Sequence, residues 1–186
     1  MKTTLAFNMP KQQQGMALFM SLVMLLIITV LGLSSVQTTS MQERMARNAK
    51  DTNLAFNAAE SAIKDAEVIV ESLNSLAPFT ASNANANGYY TEAAYNQPSN
   101  WSLVNWQTVG GNFIQAATNF TGVAAQPKFI VEFVKTVVSD DDKLNLDNIG
   151  QDTGSGRAQI FRVTVYGTGG TATAHVMIQS TYGKVF

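Results

Sequence analysis

The first apolar stretch of the chain, Met16 to Leu33, reads MALFMSLVMLLIITVLGL, with no ionisable side chain and only Ser21, Thr29 and Gly32 interrupting it. At about 1.5 Å per helical residue such a run covers roughly 27 Å, close to the hydrocarbon thickness of a bilayer. A helix apolar on every face is not stable in water, so lipid or other apolar helices must cover it. Beyond this run the pattern changes. Leu54, Ala58, Ala59, Ala62, Ile63, Ala66, Ile69, Val70 and Leu73 step by three and four, forming one stripe, while Glu60, Lys64, Asp65, Glu67 and Glu71 fall between or beside them. No proline occurs between Pro10 and Pro78. The pattern predicts one helix from about Met16 to about Ser75, roughly 90 Å long, with Pro78 as its stop. Gly32 is its weak point, costing about 1 kcal/mol of helix propensity relative to Ala.

The last third alternates with a period of two. Phe129, Val131, Phe133 and Val137 are expected to share one face of a strand over Lys128 to Val138. Phe161, Val163 and Val165 mark a second strand, and Val176 and Ile178 a third. Gly167-Thr168-Gly169-Gly170 is expected to turn the chain between the last two, giving an antiparallel meander. Between Asn74 and Gln126 the sequence shifts to Asn, Ala, Ser and Gly, as in an elaborated surface region. Trp101 and Trp106 are expected to anchor that region as a small hydrophobic cluster; stacking on a sugar is the less common use of such side chains. The fold class is therefore α+β: a long amino-terminal spine helix with an antiparallel β-sheet packed on its carboxy-terminal half.

Charge and side-chain inventory narrow the chemistry. The formal net charge is -1 with no clustered Lys and Arg, which argues against a nucleic-acid partner. There is no cysteine, so disulfides, thiolate zinc sites and Cys nucleophiles are excluded. The one histidine, His175, falls in the alternating run Ala174-His175-Val176-Met177-Ile178 and reads as structural. The acidic stretch from Asp140 to Asp152 supplies calcium candidates in Asp140, Asp142 and Asp147, but lacks the Gly and closing Glu of an EF-hand; a solvated hairpin loop is the preferred reading. Gly154-Ser155-Gly156 reads as turn residues, since no strand-loop-helix context for a phosphate cradle follows. No cofactor is expected.

The apolar run is long for a secretory signal peptide, and Ser34-Ser35-Val36-Gln37 offers only a loose cleavage pattern, so a retained span is expected. Charge does not orient it, because Lys2 and Lys11 on one side face Arg44, Arg47 and Lys50 on the other. Immediately before the span, Lys11-Gln12-Gln13-Gln14-Gly15 leads into Met16-Ala17-Leu18-Phe19, and this polar leader ending in Gly resembles the prepilin peptidase site of type IV pilins. Gln42-Glu43-Arg44-Met45-Ala46-Arg47-Asn48 and Leu54-Ala55-Phe56-Asn57-Ala58-Ala59-Glu60-Ser61-Ala62 resemble, more narrowly, the PilX branch of minor pilins. The tail from Phe161 to Gly170, with Ile178-Gln179-Ser180-Thr181-Tyr182, is similar to the carboxy-terminal strands of the same branch.

That resemblance implies cleavage between Gly15 and Met16, N-methylation of Met16, a cytoplasmic leader and an exported domain beyond Val36. One departure is visible: most pilins carry Glu at the fifth residue after the cut, where Met20 stands here. In the family that carboxylate is thought to neutralise the amino terminus of the subunit ahead. A subunit lacking it can receive a pairing from below but cannot offer one above, which suits a place at or near the filament tip.

The expected organisation is a leader at 1–15, a membrane and filament-core segment at 16–36, an amphipathic half-helix at 37–76, a variable region at 77–127 and a sheet region at 128–186. The resemblance implies a non-enzymatic minor pilin that promotes pilus assembly, with adhesion and twitching motility as downstream roles. It would wait as a single-pass inner-membrane protein before joining the pilus. Implied partners are other minor pilins, the major pilin, prepilin peptidase, the assembly machinery and the lipid bilayer. Two rivals remain: a type II secretion pseudopilin, and a periplasmic enzyme or binding domain on an uncleaved anchor. The second lacks a convincing set of convergent polar groups.

Overall fold

The computed structural model describes residues 14–79, 87–95, 97–108, 111–138 and 157–185. A long apolar helix, α1 (Gln14–Ser72), opens the chain and a five-stranded mixed sheet follows it, an α+β pilin-like arrangement. Two compact units divide within that helix, residues 1–47 and 48–186.

In the second unit the Ala stripe behaves as its spacing predicts. Ala55, Ala58, Ala59, Ala62, Ala66 and Val70 are fully buried, and small side chains let the helix backbone lie close to the strands. The helix ends at Ser72 rather than near Ser75, and Pro78 instead lies in a single 3-10 turn, Ala77–Phe79. The Lys184 ammonium explains the earlier stop: it donates to the carbonyls of Glu71 and of Leu73, the latter at 2.7 Å, satisfying oxygens that a continuing helix would have used.

The sheet comprises β1 (Tyr89–Thr91), β2 (Ile114–Gln115), β3 (Lys128–Val138), β4 (Arg157–Thr168) and β5 (His175–Val185); a short helix, α2 (Asn100–Leu103), lies between the first two strands. β3, β4 and β5 form the antiparallel meander expected from their alternation. Two strands from the region between Asn74 and Gln126 extend it: β1 runs parallel to β3, and β2 pairs antiparallel with β3 at Phe129 and Lys128.

Phe129, Val131 and Phe133 of β3, with Phe161, Val163 and Val165 of β4, pack with the helix stripe and with Phe79, whose ring lies 5.4 Å from that of Phe161. Each fully buried Phe or Val here contributes about 1.5–3 kcal/mol relative to exposure. Val137 departs from the expected face. The register shifts between Phe133 and Lys135, so Thr136 pairs with Gln159 and Val137 with Ala158, and Val137 is left 39% exposed on the opposite side. A 2.6 Å hydrogen bond from Thr136 Oγ1 to Gln159 Oε1 places the hydroxyl, not the valine, on Phe133's side.

A second, smaller core covers the other face of the sheet: Tyr90, Val104, Trp106 and Ile130, with Phe113 and Tyr166 against them. Trp106 is the anchor, its ring stacked on Tyr166 at 5.5 Å and on Phe113 at 6.3 Å, while its indole N–H donates to the Trp101 carbonyl at 3.0 Å. Trp101 itself stays 38% exposed.

Candidate functional site: the apolar helix and the polar clasps of the sheet domain

Within the first unit every described side chain from Met16 to Val36 is exposed or, at Val23, half exposed, and an 18-residue window reaches a mean hydropathy of 2.7. Polar interruptions are satisfied internally: Ser21 Oγ donates to the Leu18 carbonyl and Thr29 Oγ1 to the Leu26 carbonyl, both at 2.8 Å. Between Met16 and Leu33 both hydroxyl protons are therefore satisfied without water, which is what an apolar environment demands. Gly15 and Met16 lie in the first turn of α1; a Cβ built at Gly15 would meet nothing within 4 Å, and Met16 is 61% exposed. Met20 is 64% exposed one turn later, among residues that include no carboxylate before Glu43. Helix α1 runs unbroken through Gly32.

The second unit holds three polar arrangements that residue spacing alone does not reveal. Glu132 on β3 is buried on the sheet's outer side, where Asn100 Nδ2 donates to its Oε1 at 2.7 Å and also to the Thr91 carbonyl at 2.7 Å. Its Oε2 has no hydrogen-bond partner and lies 3.9 Å from Arg162 Nη1, whose other terminal nitrogen reaches Glu92 at 3.1 Å. Loss of water pushes the Glu132 carboxyl above the usual range, against the opposing pull of Asn100 and Arg162. One asparagine thus ties α2, β1 and β3 together.

Asp51 on the helix is the second arrangement. Its carboxylate accepts from the Gly170 and Thr171 amides and from the Thr171 hydroxyl, clasping the connection between β4 and β5. The Thr171 hydroxyl bond, ahead of the two amides, draws its carboxyl below the ordinary value. The third joins the helix end to β5, where the Tyr182 hydroxyl donates to Glu71 Oε2 at 2.8 Å beside the Lys184 cap.

The other side chains singled out by sequence fall as follows. His175 stacks on Tyr166 at 5.4 Å and its Nδ1 lies 3.1 Å from the Thr173 carbonyl. A groove of about 440 Å³ runs over Trp106, Tyr166 and His175, and the Trp106 ring beneath it is buried and stacked with two aromatic neighbours. Asp140, Asp142 and Asp147, the calcium candidates, and Gly154-Ser155-Gly156 lie outside the described residues. Among the described residues no three His, Cys, Asp or Glu side chains come together as a metal site.

Residues 14–64 match the model of the PilX N-terminal family. No curated protein and no solved structure matches the chain. The matched segment runs from the start of the apolar helix through most of the buried Ala stripe. The match, together with an apolar helix leading into a mixed sheet, makes the amino-terminal part of this chain similar to that of PilX-type minor pilins of the type IV pilus.

Proposed function

We propose that this chain promotes the initiation of type IV pilus assembly from a position at or near the filament tip. The observation that carries the reading is Met20, on the exposed apolar half of α1, at the position where most pilins place a carboxylate. A neighbour below can still offer its own Glu to the amino group of Met16, whereas this chain has nothing to offer a subunit above. Before assembly the segment 16–36 sits in the inner membrane with the sheet domain in the periplasm; assembly exchanges acyl chains for the helices of sister subunits. Processing between Gly15 and Met16, with N-methylation of Met16, precedes that exchange, and support of adhesion and twitching follows from the pilus itself. The family's association with other pilus components and the apolar span support this reading.

Intact-mass measurement on the membrane fraction tests it. The expected product lacks residues 1–15 and carries one methyl group; a product beginning beyond Val36 overturns the proposal. Deletion of the gene is expected to remove surface pili, and a defect confined to protein export would instead assign the chain to a type II secretion pseudopilus.

A further inference from the structure

The two edges of the sheet are treated differently. On the β3 side, β1 and β2 cover five residues of the strand between them, Lys128, Phe129 and Val131 to Phe133, and a bulge follows at once. Short strands and bulges are the usual protection of an edge. On the other side β5 runs eleven residues, and no described residue pairs with its outer edge.

The alternation of the ladder shows which groups that edge presents. The Phe133 carbonyl accepts from the Glu92 amide and the Val131 amide donates to the Gly88 carbonyl, so these residues point away from β4. Ile130 and Glu132 therefore bond to Thr164 and Arg162, and Phe161, Val163 and Val165 bond to Tyr182, Ser180 and Ile178. The bond from the Gly169 amide to the Ala174 carbonyl at 2.8 Å fits the same parity. Met177, Gln179, Thr181 and Gly183 are left with outward N–H and C=O groups. None of the four is proline and none carries Asp, Glu, Lys or Arg; the one Lys of β5, Lys184, is turned onto the carbonyls at the helix end, so from Met177 to Gly183 the edge holds no charge against a further strand.

We infer that the outer edge of β5 receives an extended strand from another pilus component, added to the sheet beside Met177, Gln179 and Thr181. An alternating row of amide and carbonyl groups is matched by one kind of ligand, another extended backbone. The side chains specify the strand further. Val176, Ile178 and Tyr182 face the helix side yet are only half buried, so apolar surface continues beyond the edge. On the outer face a pocket of about 310 Å³, lined by Trp101, Thr164, Met177 and Gln179, lies next to it. The incoming strand therefore carries apolar side chains on both faces. This inference rests on the minor-pilin reading, and its test separates the two.

The full-length chain in detergent is compared with the same chain in sheared pili. Amide exchange at Met177, Gln179 and Thr181 is expected to slow by about tenfold or more on assembly, as two net backbone hydrogen bonds would give. Thr181→Pro removes one outward N–H and spares the bonds to β4; it is expected to melt within a few degrees of the parent and to cut incorporation by about tenfold. Thr181→Ser keeps the N–H and is expected to incorporate normally. A photo-crosslinker at Gln179 is expected to join a contiguous segment of one other pilus subunit. Unchanged exchange in assembled pili overturns the inference whether or not the proline variant folds, as does crosslinking to a second copy of this chain. If the chain is correctly processed and required for piliation but its edge amides stay fast, only this inference fails; if it is absent from pili, the proposed function fails with it.

Discussion

Gly167 on β4 lies against Ala59 on the helix so closely that a Cβ built on the glycine would fall 2.8 Å from both the Ala59 Cβ and its backbone nitrogen. A contact at that distance is not accommodated by rotating a side chain, because the obstructing atoms belong to the helix backbone and its first carbon. Gly167→Ala is therefore expected to push the helix off the sheet and to cost about 1–3 kcal/mol, the usual range for overpacking. Thermal unfolding of the full chain in detergent measures it. Ala59→Ser, which adds one atom at the same contact, is expected to shift the midpoint in the same direction.

Glu132 and its asparagine predict an acid-strengthened domain. The folded carboxyl titrates above its ordinary value near 4.5, so the native state binds a proton more tightly than the unfolded chain. This contribution to stability is fully present below the ordinary value and is lost as pH rises through the raised one. Glu132→Gln keeps an oxygen for Asn100 to donate to and removes the titration. Its unfolding midpoint is expected to match or exceed the parent's at pH 7 and to lose the parent's gain on mild acidification; identical pH profiles for the two proteins would refute the burial argument.

Asp51 predicts the opposite sign. Its carboxyl is held below the ordinary value, chiefly by the Thr171 hydroxyl, so the clasp is intact above that value and is released as pH falls through the lowered one. Asp51→Asn leaves one acceptor for three donors. Amide exchange at Gly170 and Thr171 is expected to quicken severalfold in the variant, while exchange within β3 stays unchanged.

These residues also mark how far sequence reasoning reaches. The Ala stripe and the three-strand meander were legible because their periods are regular and long. Val137 leaves the face its alternation predicts because a bulge inserts one residue into Phe133-Val134-Lys135-Thr136-Val137, and an apolar run carries no mark of which residue is extra. Gly167 reads as part of a turn because it precedes Thr168, Gly169 and Gly170. The strand continues through Thr168, and the glycine serves the close helix contact instead. Glu132 gave no signal, since a lone acid between apolar residues reads as the solvent side of a strand until Asn100, 32 residues earlier, folds over it. At the apolar helix the case is reversed. Its span, its Gly15-Met16 junction and Met20 are local features, so the proposal built on them is argued from the sequence.

Met20 carries the last prediction. A carboxylate near the start of an apolar span is costly before assembly, by about 2.5–3.5 kcal/mol if placed at the bilayer centre and less toward the interface. Inside a filament the same group gains a partner, the amino terminus of the subunit ahead. Met20→Glu therefore lets the chain be followed by further subunits on both sides, and immunogold labelling is expected to move from the filament end into the shaft with a severalfold rise in label per pilus. Leu26→Glu places an equal charge deeper in the span, where no amino terminus waits, and is expected to lower the chain's incorporation instead. If Met20→Glu leaves both position and abundance as they were, the electrostatic account of tip placement is wrong, whatever the processing at Gly15 and Met16 turns out to be.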